Sequence, residues 1–184
     1  SFFSCKEATA PAPILPVPTP AQVEWHKMET YAFVHFGLNT FNDLEWGYGN
    51  TPASTFNPTD LDCDQWAQTI KAAGLKGVIL TTKHHDGFCM FRTATTDYNS
   101  YDATPGKRDF IKEMAEACKR GGINFGIYFS LIDWHFPQAY PISSHNCDFI
   151  TPQHHEFTKA QVTELLTNYG PISELWFDMG SNTP

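Results

Sequence analysis

The chain has 184 residues, the size of one domain or slightly more. Its 12 Lys and Arg against 20 Asp and Glu leave a formal net charge of −8, which argues against nucleic acid and anionic lipid as general partners. Hydrophobic residues at 41% provide for a core, while only 17% are charged and 15% are aromatic, a balance that fits a large aromatic core with stacking surfaces left over for uncharged, hydroxyl-rich ligands.

Ser1-Phe2-Phe3-Ser4-Cys5-Lys6 looks like the clipped end of a signal peptide before a cysteine of bacterial lipoprotein type. Cys5 is therefore the expected site of a lipid anchor, the one membrane attachment anticipated, with residence in the bacterial periplasm or cell envelope. From Ala8 to Pro20 five prolines make an extended tether. Residues 1–20 are thus read as signal-peptide remnant and tether, and the folded domain as 21–184. No apolar run approaches the ~18 residues of a membrane span. The five cysteines, Cys5, Cys63, Cys89, Cys118 and Cys147, are odd in number and contain no C-x-x-C pair, which speaks against a disulfide framework or a structural zinc site. Cys118 falls on the apolar side of a predicted helix and reads as a buried small hydrophobe.

After the tether, short apolar runs recur at near-equal intervals: Tyr31–Phe36, Lys76–Lys83, Ile123–Ser130 and Ser173–Asp178. They read as buried strands. Between them lie helical patterns over Asp62–Ala73, Asp109–Arg120 and Pro152–Tyr169. Their apolar faces are predicted from Trp66, Ile70 and Ala73; from Phe110, Ile111, Met114, Ala115 and Cys118; and from Phe157, Leu165, Leu166 and Tyr169. Gly74, Gly121 and Gly170 follow where a left-handed C-terminal residue is wanted. Apolar strands alternating with helices predict a parallel sheet covered by helices.

Helix-to-strand connections are short, whereas the strand-to-helix loops 37–61, 84–108 and 131–151 are long. Long loops after every strand put the working face at the strand C-termini, as in a (β/α)8 TIM-like barrel. A doubly wound sheet is the alternative, weakened because no Gly-rich phosphate turn follows the first strand. Four β/α units are half of such a barrel, so the remainder is expected from further chain.

Polar groups close all four strands. The first ends in His35-Phe36-Gly37 with Glu45-Trp46 behind it, and the second in Lys83-His84-His85-Asp86-Gly87-Phe88. The third ends in Tyr128-Phe129-Ser130 before Asp133-Trp134, and the fourth in Trp176-Phe177-Asp178. Asp178 could be a nucleophile toward an anomeric carbon, a metal ligand or a buried anchor. The histidines could be zinc ligands or partners of hydroxyls; no second histidine stands one residue after His35, so the paired signature of metal-dependent barrel hydrolases is missing. Trp46 and Trp134 suit stacking on a sugar face.

The set His35-Phe36-Gly37, Glu45-Trp46, the run Thr-Lys-His-His-Asp-Gly-Phe over 82–88, and Leu175-Trp176-Phe177-Asp178 resembles the α-L-fucosidases of glycoside hydrolase family 29. The stretch from Trp66 to Gly77 is similar to that family as well. The resemblance implies a retaining exo-α-L-fucosidase on a (β/α)8-like barrel, usually followed by a β-sandwich, acting on fucosylated oligosaccharides without a metal or organic cofactor. It implies Asp178 as nucleophile and His35, Glu45, Trp46, His84, His85 and Tyr128 as substrate-binding residues, to which Trp176, two residues before Asp178, is added as a further expected substrate-binding residue. It also implies an acid/base carboxylate from a later part of the barrel, beyond Pro184. Two other classes remain at this point: a fucose-binding chain without turnover, and a metal-dependent hydrolase using His35, His84 and His85.

Overall fold

A computed structural model describes residues 9–137 and 150–180. Cys5, Cys147 and most of the predicted loop 131–151 lie outside the described residues. Four strands, β1 (Ala32–Val34), β2 (Gly77–Lys83), β3 (Asn124–Ser130) and β4 (Leu175–Asp178), form one parallel sheet in the order β1-β2-β3-β4. A doubly wound sheet reverses its order at a switch point. This sheet never does, and it follows the sequential order of a barrel wall. The second and third strands are buried along almost their whole length, which is why their sequences run apolar rather than alternating. The outer strands are the sheet's edges, where Phe33, Trp176 and Phe177 are partly exposed.

The chain enters through α1 (Pro20–Met28), an element the sequence reading did not resolve. Thr19 caps it reciprocally: its hydroxyl accepts the Gln22 amide at 3.3 Å, and the Gln22 side chain accepts the Thr19 amide at 2.8 Å. The Trp25 indole then donates to Glu174 at 2.5 Å, tying this helix to the approach of the fourth strand.

The crossover helices are α2 (Cys63–Ala72), α4 (Phe110–Gly121) and α5 (Pro152–Asn168), with a single turn, α3 (Ser100–Ala103), between β2 and α4. Asp62, Asp109 and Thr151 accept amides of the first turns at 3.0–3.1 Å, so each helix starts at a side-chain cap. Their faces differ in part from expectation. In α2 the buried residues are Cys63, Ala67 and Ile70, while Ala73 is exposed beyond the helix end. In α5 they are His154, Thr158, Gln161 and Leu165, and Leu166 faces solvent. Hydrogen bonds tie part of that polar face to the loop after β2: Gln161 Nε2 donates to Thr95 Oγ1 at 2.9 Å, and Glu164 accepts the Ala94 amide at 3.0 Å. The left-handed residue after α4 is Gly122, at φ +68°, one later than expected because Gly121 is still helical.

Cys63, Cys89 and Cys118 are free and buried. The core lies between the sheet and its helices, centred on Phe56, Phe88, Phe91, Phe110, Met114, Ile127 and Phe129. An ion pair is buried beside it. Lys83, the last residue of β2, is fully buried, with Nζ 3.4 Å from Asp133 Oδ2 and 4.4 Å from the Phe129 ring centre. Asp133 Oδ1 in turn accepts the amides of His135 and Phe136, both at 3.0 Å. Gly87 has φ +86°, and a Cβ there would stand 2.1 Å from Asp133 Oδ1, so only glycine lets the two loops close on each other.

Removing one member of such a pair leaves the other buried without its charge partner. Lys83→Met should therefore lower unfolding free energy by roughly 3–5 kcal/mol, read from urea unfolding at neutral pH. An unchanged midpoint would show that the pair holds nothing in place.

Candidate active site

Parallel pairing sets Ser130 opposite Asp178 and Tyr128 opposite Trp176. Side chains two residues apart share a face of a strand, so Tyr128, Ser130, Trp176 and Asp178 all face one side of the sheet. The Tyr128 hydroxyl donates to Asp178 Oδ2 at 2.5 Å, and the Met179 amide donates to Oδ1 at 2.8 Å. Partial burial alone would raise the Asp178 carboxyl. The Tyr128 and Met179 hydrogen bonds and the nearby His85 and His84 rings outweigh it and hold the carboxyl below the usual carboxylate range. The same contact, with burial first, drives the Tyr128 phenol well above its ordinary value.

Three imidazoles surround this carboxylate from the ends of the first two strands. The ring centres of His35 and His84 are 5.2 Å apart, and those of His84 and His85 4.2 Å. His84 lies nearly parallel to Tyr128 at 5.7 Å, while His35 meets Tyr128 edge-on at 4.8 Å. Burial, then the like charges of His85 and His35, pushes His84 down to about 3 despite Asp178. Burial also lowers His35, with Asp178 opposing. Near neutral pH these two rings are hydrogen-bonding partners without charge, and His84 Nδ1 is buried without one in the protein. His85 spans the register pair: Nδ1 lies 2.7 Å from Ser130 Oγ, and Nε2 lies 3.8 Å from Asp178 Oδ2.

These groups open on a cavity of about 430 Å³ lined by His35, Glu45, Trp46, His84, His85 and Asp178. Phe36, Phe88 and Met90 supply apolar wall. Its volume falls in the ordinary range for small-molecule pockets. The Trp46 loop is pinned from below, where Asn39 Nδ2 donates to the Trp46 carbonyl at 2.9 Å. Gly47, at φ +68°, allows that approach, since a Cβ would stand 2.3 Å from Asn39 Oδ1.

Of the residues expected to bind substrate, Tyr128 is not among the cavity's lining residues: it is buried and joins the site only through its hydrogen bond to Asp178. Trp176 is not among the cavity's lining residues: it sits one layer below Asp178 on the edge strand, 41% exposed, with its ring edge-on to Phe33 at 5.0 Å. Trp134 stands 5.5 Å behind His85 and not in the cavity wall. Sequence reasoning gave no role to Asn39, Asp86 or Ser130. Asp86 stood in the quoted motif, and its type is the only signal that could have singled it out. It is almost fully buried, its Oδ1 accepts the Phe88 amide at 3.3 Å, and its Oδ2 has no hydrogen-bond partner in the protein. Burial pushes it up to about 7. Among the described residues no group of three or more His, Cys, Asp or Glu is gathered in a way that could hold a metal ion.

A family model described as Alpha-L-fucosidase matches residues 14–184. Alpha-L-fucosidase 1 of Arabidopsis thaliana is 44% identical over 170 residues, covering 91% of this chain and 32% of that protein. The plasma alpha-L-fucosidase of Rattus norvegicus is 33% identical over 178 residues, covering 87% and 34%. Among solved structures, a glycoside hydrolase 29 family member from an unknown rumen bacterium superposes with a TM-score of 0.77 at 44% identity, over 89% of this chain and 28% of that one. A bacterial fucosidase with a monovalent iminocyclitol inhibitor superposes with a TM-score of 0.74 at 30% identity, over 90% and 43%. The chain spans about a third of the length of these curated relatives.

The buried Asp86 gives the site a pH signature of definite sign. An unfolded aspartate titrates near ~3.9, the folded one near about 7. Between those values the folded state holds the extra proton, so this group's contribution to stability is present below the lower value and is lost as pH rises to the upper one. Asp86→Asn should therefore gain stability relative to wild type as pH rises from 4.5 to 7.5. A constant difference between their urea midpoints over that range would refute the assignment.

Proposed function

The chain belongs to the α-L-fucosidase family, and from that premise we propose that its cavity receives a terminal α-L-fucosyl unit of an oligosaccharide or glycoconjugate and hydrolyses it by a retaining double displacement. One observation carries the reading. A carboxylate at the end of a barrel strand is held in its ionised form by the Tyr128 hydroxyl and the Met179 amide, among imidazoles that face the same cavity. In the proposed first step Asp178 attacks the anomeric carbon as the glycosidic bond breaks, and a proton donor outside these 184 residues protonates the leaving oxygen. Water then attacks the fucosyl ester from the face the leaving group vacated. Two inversions give net retention.

The remaining groups suit a 6-deoxy sugar. His35, His84, His85 and Glu45 offer donors and acceptors to the ring hydroxyls, Trp46 offers a stacking face, and Phe36, Phe88 and Met90 offer an apolar wall to the methyl group. The His84 Nδ1 atom that has no protein partner is a place for one such hydroxyl. Neutral His35 and His84 set no full positive charge against Asp178, which helps preserve its nucleophilicity in a site from which substrate displaces water. No step requires a metal or organic cofactor. The first six residues support a further proposal, lipid attachment at Cys5 and residence at a bacterial cell envelope. Mass spectrometry of the native N-terminus should find a diacylglyceryl cysteine, and an unmodified Cys5 would refute it.

The catalytic reading is tested in the whole protein with Asp178→Gly. That variant should lose several orders of magnitude in turnover of an aryl fucoside while still binding fucose. Added azide should partly restore turnover and yield β-fucosyl azide, the small anion standing in for the carboxylate. Near-wild-type turnover by the variant would end this assignment of the nucleophile.

A further inference from the structure

Ser130 lies at the end of β3, fully buried and directly opposite Asp178 in the ladder. Its hydroxyl has one proton and two acceptors in reach: His85 Nδ1 at 2.7 Å and the Ile132 carbonyl at 3.2 Å. A neutral imidazole also has one N–H, and which nitrogen carries it is decided by what the other nitrogen meets. His85 meets Ser130 on one side and Asp178 on the other.

Two arrangements are possible for the neutral ring. If Ser130 donates to Nδ1, the ring proton sits on Nε2 and points toward the Asp178 carboxylate, an attractive contact at 3.8 Å. If Ser130 instead donates to Ile132, the proton sits on Nδ1 and a lone pair faces the carboxylate, a repulsive contact in a site of low dielectric. The shorter hydrogen bond and the better electrostatics agree.

We propose that Ser130 is a positioning residue: its hydroxyl fixes His85 as the Nε2–H tautomer, so that a donor and not a lone pair faces Asp178 and the cavity. The described groups that face His85 include Asp178, its chain neighbour His84 at 4.2 Å between ring centres, Trp134 at 5.5 Å and Trp46 at 6.5 Å. Asp178 is the one full charge among them. The consequence for turnover rests on the fucosidase reading, because a sugar hydroxyl or the reacting carboxylate is what the Nε2 proton serves. The tautomer itself does not rest on it.

The test is ring-nitrogen NMR of His85 in the full chain, ¹⁵N-labelled, near neutral pH. Wild type should show an unprotonated Nδ1 and a protonated Nε2. Ser130→Ala should shift the ring toward the Nδ1–H form or a mixture, and Ser130→Thr, which keeps a hydroxyl, should restore the wild-type pattern. Ser130→Cys, which keeps the volume with a weak donor, answers the same question should the alanine form not fold. A wild-type ring that is Nδ1–H or doubly protonated, or an alanine and cysteine pair that keeps Nε2–H, would overturn the proposal. In the whole protein, Ser130→Ala should lower kcat/KM on an aryl fucoside on the order of 10–100-fold, the range for outer partners that orient a histidine, with the threonine form recovering most of it. The tautomer decides the proposal: a ring that switches as expected in a protein turning over no fucoside would count against the fucosidase reading alone.

Discussion

The register between β3 and β4 is the constraint on which the site depends. It places Ser130 beside Asp178 and Tyr128 beside Trp176, so one face of two adjacent strands carries the carboxylate and the hydroxyl that charges it. Slipping a strand by one residue would turn every side chain to the other face of the sheet. Asp178 would then point to the other side of the sheet, where Phe129 is buried in the core and the half-exposed Phe177 lies 6.3 Å from it between ring centres. The register is favoured because Phe129 is buried on its side of the sheet, while Tyr128 and Ser130, buried on the other, have their hydrogen-bond partners there. The hydrophobic pattern of the strands and the placement of the reactive group are the same physical fact.

Much of this was legible in the residues. The apolar runs located all four strands to within a few positions, and β1 alone shrank appreciably, from Tyr31–Phe36 to Ala32–Val34. It shrank because an edge strand has ladder partners on one side only, and the backbone turns away once His35 leaves the sheet. The apolar periodicities placed the helix starts within one residue of Cys63, Phe110 and Pro152, and the structure adds that Asp62, Asp109 and Thr151 cap them. The buried face of α5 was not legible. His154, Thr158 and Gln161 look like a solvated stripe, yet they are buried: the Gln161 amide bonds Thr95 of the loop after β2, and the His154 ring stacks on Phe136 of the loop after β3. Periodicity counts apolar residues and has no means of weighing a satisfied polar contact.

The site divides in the same way. His35, Glu45, Trp46, His84, His85 and Asp178 were visible because strand ends in a barrel converge on one mouth, and they do line one cavity. Trp176 was placed there by its neighbourhood to Asp178, yet alternation along a strand sets it a layer lower, against Phe33. Ser130 and Asn39 carried no signal of their own, since a serine or an asparagine has meaning only through the atom it meets. That atom came from a different strand or loop in each case: His85 for one and the Trp46 carbonyl for the other.

Charge is arranged in two tiers beneath this mouth. The lower tier is the Lys83–Asp133 pair, dry and closed on itself by two backbone amides. It fixes the loops after β2 and β3, and with them the His84–His85 segment, at a cost in desolvation that only a well-made pair offsets. The upper tier is Asp178, which has hydrogen-bond donors in Tyr128 and Met179 and, among the described residues, no lysine or arginine in an ion pair with it. A cationic partner would have held that carboxylate ionised more strongly and also blunted it as a nucleophile. Donation from a phenol and an amide keeps the charge in place while leaving it available. His35 and His84, both lowered and so without charge near neutral pH, complete that design, because they can bind hydroxyls without competing for the negative charge that the reaction at the anomeric carbon needs.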